Sequence, residues 1–369
     1  MRISFFVPRC TPENSHGRYV VELAKRLVGE HFVTIYSGSF WSPLRSMVRC
    51  KYLPVPNRPA VVRLAALWAA ALVVTRRSRA DITHVQGADA PFGNVVTAQF
   101  CNAAMQSIGG GGGLYHRINS AIGAAAEKYC MSQPSTRIII AISHQVKGEI
   151  EREYGVDPGK VLVIHHGVDG ETFNPRHRTR WRDSFRASLR LSLDEFIVLF
   201  VGGDYRRKGL VPLLEAGRRV PGDLKILAVG VKPDAALAQY IRTSGNKDRV
   251  IFLPTTDQIA PLYAAADCFA LPTKYDTFSM AALEAMASGL PVILSRAAGV
   301  SELVTAGRDC LLIEDSEDVS ALAQHLTRLA QDSRFRESLG QQARKTAEGH
   351  SWDRVAERTL AAYRQAASS

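Results

Sequence analysis

The chain has 369 residues, 46% of them hydrophobic, which is enough to form two domains with a core in each. Six cysteines without paired spacing argue against a disulfide framework or a zinc site and favour reduced thiols, as in a cytoplasmic protein. The apolar run at the N-terminus is only a few residues long, which predicts a first strand and argues against a signal peptide.

The positive charge is concentrated at one end of the sequence. Of the net +11, the first 80 residues contribute +10, from thirteen Lys or Arg and three Glu. Residues 60–74 form an apolar helical pattern that is interrupted by Arg63 and is too short to span a bilayer. With Arg76, Arg77 and Arg79 behind it, this helix suits an anionic membrane surface, at the inner face of the cell membrane. A helix packed on the core with basic flanks explains the same pattern, and no nucleic-acid partner is expected.

Short β-like runs alternate with helical patterns through the first half, which predicts an α/β fold with a doubly wound parallel sheet. The loop from Arg9 to Gly17 follows the first strand, where such sheets bind ligands. It lacks the G-x-G-x-x-G pattern of a dinucleotide-binding turn, which argues against an oxidoreductase. The predicted elements are strands at Ile3–Val7, Phe32–Tyr36, Ile82–Gln86 and Val95–Gln99, and helices at Gly17–Leu27 and near 60–76.

Five consecutive glycines within residues 107–113 cannot form regular structure, because local contacts do not offset the cost of ordering them. Two interpretations are open for this loop: a flap over an acceptor, or a disordered insertion. A helix at Leu114–Met131 and a strand at Arg137–Ala141 follow, and Ser143 is then placed to cap the next helix. The apolar run that begins at Val161 ends the first half.

A polar, arginine-rich stretch at 170–195 is interpreted as the linker between domains, and Phe196–Val201 as the first strand of the second domain. That strand leads into Gly202-Gly-Asp-Tyr-Arg-Arg-Lys-Gly209, a glycine-rich turn that carries three cations. At the carboxyl end of a strand, such a turn suits a diphosphate leaving group, whose charge the cations neutralise. A solvated basic turn without a ligand is the alternative.

The stretch at 273–303 combines a strand end, a helix start and two carboxylates. Thr277 is predicted to cap a helix that runs to about Ser288, and the free amides at its start are suited to a phosphate. Asp276 lies in the loop before the helix, in reach of a sugar hydroxyl. Glu284 lies about two turns in, where a carboxylate exposed to the ligand accepts both hydroxyls of a ribose. The alternative is that no ligand binds here, in which case Asp276 is a loop cap and Glu284 a solvated helix residue.

The residue order in this stretch resembles the signature of glycosyltransferase family 4: acidic-x-x-Phe, then Glu-Ala-Met-Ala-x-Gly-x-Pro-Val, then Gly-Val-x-Glu. The resemblance implies the GT-B fold, with two Rossmann-like doubly wound domains facing a central cleft. It implies an acceptor-binding domain at 1–175 and a nucleotide-sugar donor domain at 176–350, with a C-terminal helix at 351–369 that packs back on the first domain.

The resemblance also implies how the second domain binds its donor. Asp276 is expected to contact the donor sugar, Glu284 the ribose, and the amides near Ser279 and Met280 the diphosphate. The first acid of the signature is usually Glu, and here it is the shorter Asp276. The expected donor-binding residues are Gly17, Gly202, Arg206, Phe252, Thr277, Phe278, Ser279, Met280 and Glu284.

A basic pair is implied beside the diphosphate. Lys208 matches the lysine of the family, whereas Gly203 stands where an arginine is usual. Arg206 or Arg207 must therefore substitute, and Arg207 is favoured. The expected catalytic residues are Lys208, Arg207, Asp276 and Gln99.

Three further positions are carried over from the family. Gly17 matches a glycine close to the donor phosphates, and the backbone near Phe252 is where the base is expected. His166 stands where Asn is common, with an expected role in hinge packing. Gln99 stands where the family usually has His, and a glutamine cannot exchange a proton near neutral pH.

The function implied is a retaining transfer from a nucleotide-diphosphate sugar, with UDP as the first choice, to a glycan or lipid-linked acceptor. The resemblance places such a reaction in bacterial surface polysaccharide or lipopolysaccharide synthesis. No cofactor is expected, and the absence of a DxD motif means that the sequence requires no metal. The alternative, suggested by Gln99, is a GT-B protein that binds a nucleotide sugar or a partner without turnover.

Overall fold

The computed structural model describes residues 1–53, 60–75, 80–108, 114–256 and 259–368. The chain divides into two compact units, residues 1–166 with 352–369, and residues 167–351. The boundary falls at 166/167, against the expected 175/176. The glycines at 109–113 and the arginines at 76, 77 and 79, which carried two of the predictions, lie outside the described residues.

The first unit contains a seven-stranded parallel sheet in the order β3-β2-β1-β4-β5-β6-β7. Its strands are β1 (Arg2–Phe6), β2 (Phe32–Ser37), β3 (Arg49–Tyr52), β4 (Ile82–Gln86), β5 (Val95–Ala98), β6 (Ile138–Ala141) and β7 (Val161–Val163). Its helices up to residue 166 are α1 (Ser15–Leu27), α2 (Ala60–Thr75), α3 (Asn102–Ile108), α4 (Leu114–Met131) and α5 (His144–Tyr154). Ser143 caps α5 as predicted, because its hydroxyl accepts from the amide of Val146 at 3.1 Å.

The second unit contains a six-stranded parallel sheet in the order β10-β9-β8-β11-β12-β13. Its strands are β8 (Phe196–Val201), β9 (Leu224–Val229), β10 (Val250–Leu253), β11 (Cys268–Leu271), β12 (Val292–Ser295) and β13 (Leu311–Ile313). Its helices are α6 (His177–Ser188), α7 (Leu210–Arg219), α8 (Ala235–Thr243), α9 (Ala260–Ala265), α10 (Met280–Ala287), α11 (Val319–Gln331) and α12 (Ser333–Glu348). The helix α13 (Trp352–Ser368) returns to the first unit.

Both sheets reverse their strand order once, between β1 and β4 in the first unit and between β8 and β11 in the second. At such a switch point the loops after the two central strands diverge and leave room for a ligand. Several strands, among them β6 and β8, are almost continuous apolar runs, as expected for parallel strands covered on both faces. The predicted α/β class with two doubly wound domains is therefore confirmed.

The prediction of a linker at 170–195 is wrong over its middle part, because His177–Ser188 form the helix α6 within the second unit. Arg178, Arg182 and Arg186 lie on one face of this helix and pair with Asp267 at 3.0, 2.8 and 2.6 Å. Burial by itself raises the pKa of Asp267, but Arg182 and Arg186 outweigh that effect and hold the pKa below its ordinary value. These three arginines, which contributed to the prediction of a polar linker, thus form ion pairs with a buried carboxylate.

The helix α13 is attached to the first unit by polar contacts at several points. The hydroxyl of Tyr363 lies 2.6 Å from Nδ1 of His84, a fully buried side chain of β4. Near its start, Asp353 pairs with Arg26 of α1 at 2.7 Å. Among the described residues, no helix has both the length and the apolar character needed to cross a membrane.

His166, expected to have a packing role, is 2% exposed and lies against the rings of Tyr19 and Trp352, with centroids 5.6 and 5.8 Å away. Burial, with smaller contributions from the nearby His16, His165 and Arg18, lowers the pKa of His166 to about 3. The folded protein therefore holds a neutral imidazole here at physiological pH.

His166→Asn should reduce the sensitivity of the protein to acid. An unfolded histidine has a pKa near 6.5, so the unfolded chain binds a proton that the folded protein excludes, and stability is lost as the pH falls below that value. At pH 5 this loss is about 2 kcal/mol. Urea unfolding of both proteins at pH 7.5 and pH 5 measures the gap between their free energies of unfolding. From the higher to the lower pH, this gap should shift by that amount in favour of the variant. A gap that does not depend on pH would contradict the buried neutral histidine.

Candidate functional site

The turn after β8 lies at the switch point of the second sheet. Gly209 has a left-handed φ of 79°, and a Cβ there would collide with the carbonyl oxygen of Pro272, at the end of β11. A Cβ at Gly202 would collide with Cδ of Lys208, whose side chain passes directly over that glycine. Glycines at these two positions therefore allow the basic turn to approach the end of the neighbouring strand and direct the lysine across it.

Lys208 and Asp276, predicted from separate motifs, are brought together here. The Nζ atom of Lys208 lies 3.2 Å from Oδ2 of Asp276, and the two side chains are 17% and 12% exposed. The other carboxylate oxygen of Asp276 accepts from the amide of Phe278 at 3.3 Å. A charge pair this far removed from solvent interacts more strongly than an exposed one, so each partner fixes the position of the other.

The two arginines of the turn point to different neighbours. Arg207 contacts Asp204 at 3.1 Å and donates through Nη1 to the carbonyl of Tyr275, next to Asp276, at 2.5 Å. Arg206 is exposed and pairs with Asp234, the N-cap of α8, at 2.8 Å. Of the two arginines, Arg207 is the one whose contact adjoins the Lys208–Asp276 pair, and its role beside the diphosphate stays a prediction.

The helix α10 begins later than predicted. Its N-cap is Ser279, not Thr277, and Ser279 has a φ of 70°, which is uncommon for a residue other than glycine. The described part of the chain offers its buried Oγ no hydrogen-bond partner. The carbonyl of Ser279 accepts from the amides of Ala282 and Leu283. Helix geometry therefore leaves the two preceding amides, those of Met280 and Ala281, directed outward. Strained residues of this kind concentrate at ligand sites.

The loop before α10 is held by a glycine whose role the sequence did not reveal. The amide of Gly299 donates to the carbonyl of Asp276 at 2.8 Å, and the amide of Val300 donates to that of Phe278 at 2.7 Å. A Cβ at Gly299 would collide with the carbonyl oxygen of Thr277. The Gly-Val pair of the signature thus shapes the backbone that presents Asp276 and the start of α10.

Glu284 is 5% exposed, and its Oε2 accepts from the hydroxyl of Tyr263 at 2.8 Å. The interpretation as a solvated helix residue is therefore wrong, and so is the expectation of an exposed carboxylate. Tyr263 was missed, because nothing in its own segment links it to a site. Phe252 lies half-buried on the edge strand β10, whose carboxyl end is on the same side of the sheet as the basic turn.

Gly17 and Gln99 lie in the first unit. The amide of Gly17 donates to Oδ1 of Asn14, the N-cap of α1, at 2.7 Å, and a Cβ at Gly17 would collide with the carbonyl oxygens of Arg9 and Thr11. Close packing of the loop thus explains this glycine without a ligand. The amide nitrogen of Gln99 donates to Oε1 of Gln86 at 3.1 Å, and its buried Oε1 has no partner in the described ranges.

Two models of known protein families match the chain. The family model described as Glycosyltransferase Family 4 matches residues 16–172, and the model described as Glycosyl transferases group 1 matches residues 182–346. Together they span most of both units. The protein therefore belongs to glycosyltransferase family 4, as the motif at 273–303 predicted.

A D-inositol 3-phosphate glycosyltransferase of Salinispora arenicola is 34% identical over 250 residues, which cover 63% of this chain and 55% of that protein. The chain spans about half the length of the curated relatives of this kind.

Solved structures share the fold at lower identity. WaaG, a glycosyltransferase involved in lipopolysaccharide biosynthesis, superposes with a TM-score of 0.84 at 20% identity, over 97% of this chain and 98% of its own. HepE of Anabaena in complex with UDP and glucose gives 0.75 at 18% identity, over 98% of this chain and 99% of its own. The predicted GT-B fold is confirmed.

Proposed function

We propose that this protein is a retaining glycosyltransferase that moves a hexosyl group from a UDP-sugar to a glycan or lipid-linked acceptor in bacterial surface polysaccharide or lipopolysaccharide synthesis. The observation that carries the proposal is the Lys208–Asp276 pair, 3.2 Å apart at a switch point and adjacent to the start of α10. Membership in family 4 supports the class of reaction. The UDP complex of HepE and the description of WaaG support the choice of nucleotide and pathway.

In the proposed reaction, the diphosphate lies against the outward amides at the start of α10 and beside Lys208 and Arg207. Negative charge grows on the diphosphate oxygen as the glycosidic bond breaks, and the lysine cation stabilises it there. Asp276 holds the lysine and accepts a hydrogen bond from a sugar hydroxyl. With retention, the departing phosphate oxygen takes the proton of the acceptor hydroxyl, so that no side-chain base is required. Gln99 then serves as a neutral hydrogen-bonding group.

The cations and helix amides supply the charge stabilisation that a divalent metal provides in other transferases. We therefore propose a reaction without a metal cofactor. The expected setting is the cytoplasm, where nucleotide sugars serve as donors.

Lys208→Ala should lower kcat by about a hundredfold or more, because it removes an electrostatic stabiliser that acts mainly as the diphosphate leaves. UDP release from a panel of UDP-sugars, measured with a glycolipid acceptor in EDTA, provides the readout. The matched control is Arg206→Ala, which removes a cation of the same turn that faces Asp234 instead of Asp276. This control should stay within a few fold of the wild type.

A loss confined to KM in Lys208→Ala would assign the lysine to uniform donor binding. Equal losses in both variants would remove the distinction drawn between the two cations. The alternative function, a GT-B protein that binds without turnover, predicts that the wild type releases no UDP with any donor although it binds UDP. Gln99 is the observation that favours this alternative.

Glu284→Gln should weaken UDP binding by roughly 1.5–3 kcal/mol, because a carboxylate that accepts two ribose hydroxyls is replaced by an amide with one acceptor oxygen. The amide still accepts from Tyr263, which preserves the fold. Tyr263→Phe is the companion variant: it retains the carboxylate but removes the hydroxyl that orients it, so a smaller loss is expected. Calorimetric titration with UDP measures both, and an unchanged affinity in Glu284→Gln would refute the ribose assignment.

The helix α2 supports a peripheral contact with an anionic membrane. Leu67 and Ala71 are buried against the unit, whereas Val62, Leu72 and Val73 are 50–65% exposed on another side of the helix. Exposed apolar side chains near a basic segment suit insertion among anionic headgroups.

Co-sedimentation with phosphatidylglycerol vesicles should show binding that weakens as salt increases and falls by several fold in Leu72→Ser/Val73→Ser. Phosphatidylcholine vesicles are the control. Equal binding to both lipids, or none to either, would leave α2 with a packing role alone.

A further inference from the structure

A cavity of about 520 Å³ lies within the first unit, at the carboxyl ends of β1 and β4. It is bordered by the loop after β1, by the residues that follow β4, and by side chains of α2, α3 and α4. This is the switch point of the first sheet, and the volume is in the range that holds a small ligand. The lining residues that the structure describes all belong to the first unit.

Gln86, at the end of β4, leaves a hydrogen-bond donor in this cavity. The side chain is 0% exposed, and its Oε1 accepts from the amide nitrogen of Gln99 at 3.1 Å. Its own Nε2 has no partner in the described part of the chain. A buried amide without a partner costs free energy, so this donor is suited to a ligand atom that accepts a hydrogen bond.

Asp89, three residues further along, leaves an acceptor in the same cavity. Its Oδ2 is inaccessible to solvent and has no hydrogen-bond partner among the described residues; Nδ1 of His16 lies 4.0 Å away, beyond hydrogen-bond reach. Burial raises the pKa of Asp89 well above its ordinary value, opposed by the charge of Arg63 and reinforced by that of Glu127. A ligand that donates to this carboxyl group therefore relieves part of the cost of its burial.

The second buried acid in the cavity is already satisfied. Glu127 accepts from the amide of Asn102 at 2.9 Å, from the side chain of Asn102 at 2.7 Å and from the hydroxyl of Tyr154 at 2.6 Å. Glu127 thus orients its neighbours, and Gln86 and Asp89 remain for a ligand.

Among the described residues that line the cavity, none of the buried ones carries a positive charge. Burial lowers the pKa of His16 to about 4, so this imidazole is neutral, and the two arginines of the lining, Arg9 and Arg63, are exposed. A phosphate in the interior would meet two acidic side chains with no buried positive partner. Phe100, whose ring stacks on His16, gives the cavity an aromatic surface of the kind that packs against the C–H face of a sugar ring.

We infer that this cavity binds an uncharged glycosyl residue, whose hydroxyl groups donate to Asp89 and accept from Gln86. A hydroxyl is both donor and acceptor, and it therefore complements an unpaired amide N–H and an unpaired carboxyl oxygen in one cavity. The inference rests on the proposed function, in which this residue is the end of the acceptor. Asp89 is then a specificity-determining residue that selects a neutral sugar over a phosphorylated one such as an inositol phosphate.

The test compares two classes of probe with the purified full-length chain by saturation-transfer NMR. Neutral probes are methyl glycosides of glucose, galactose and mannose, and the anionic probe is inositol 1-phosphate. At least one methyl glycoside should bind in the millimolar range, as a single ring allows, and the phosphate should bind at least tenfold more weakly. Preferential binding of the phosphate would overturn the inference without recourse to any variant.

Asp89→Asn keeps the shape of the side chain but replaces an acceptor oxygen by an N–H donor, so glycoside affinity should fall about tenfold or more. Glu30→Gln makes the same change of charge at an exposed position outside the cavity and should leave the affinity unchanged. Equal affinities in wild type and Asp89→Asn would overturn the role of Asp89.

Titration of the wild type with UDP separates the two proposals. If UDP binds and no glycoside does, the inference fails and the proposed function stands. If glycosides bind and UDP does not, the donor assignment fails and the ligand class of the cavity stands.

Discussion

The ion pair between Lys208 and Asp276 is the contact on which the donor half of this molecule depends. It joins the loops after β8 and β11, which meet because neighbouring parallel strands end at the same edge of the sheet. Removing either partner would leave a nearly buried charge without compensation, which costs several kcal/mol in comparable cases. The glycines at 202, 209 and 299 have no catalytic group, yet each leaves space that a Cβ would fill: for the side chain of Lys208 at 202, and for a backbone carbonyl at 209 and at 299.

The second unit uses the same kinds of charged residue for a different purpose at the opposite edge of its sheet. Asp267 precedes β11, accepts from the amide of Ile197 at the start of β8, and pairs with three arginines of α6. Every charge in this cluster has a protein partner. At the carboxyl edge, in contrast, the cations lie beside outward helix amides and a strained N-cap. Because the charges are paired at both edges, the distinguishing feature of the carboxyl edge is the strained Ser279, whose buried Oγ has no partner among the described residues.

The first unit is more neutral in its interior than its sequence suggests. Although its first 80 residues are strongly basic, its core contains His84 and His166 as uncharged rings, the former between Tyr363 and Thr97 with 2.6 Å contacts to each. Its switch-point cavity has acidic and amide groups inside and arginines only where solvent reaches them. The basic surface and the buried cavity thus favour different partners: an anionic surface outside and a neutral polyol within.

The sequence by itself determined the class of fold, the family and the residues of the donor loops. Strand periodicity, glycine-rich turns and the acidic signature are local patterns in the sequence. In a parallel sheet the loops that follow the strands lie at one edge, so these patterns also indicate which loops come close together. Three elements were accordingly predicted with their observed bounds: Ile82–Gln86, Leu114–Met131 and Phe196–Val201. Tertiary structure alone decided which charges meet. It paired three arginines of α6 with Asp267, joined Lys208 to Asp276, and placed the hydroxyl of Tyr263 against Glu284. It also moved the start of α10 to Ser279 and brought Gln86 and Asp89 to one cavity. Those outcomes depend on contacts between residues far apart in the chain, and neither spacing nor propensity encodes the distance between two loops in space.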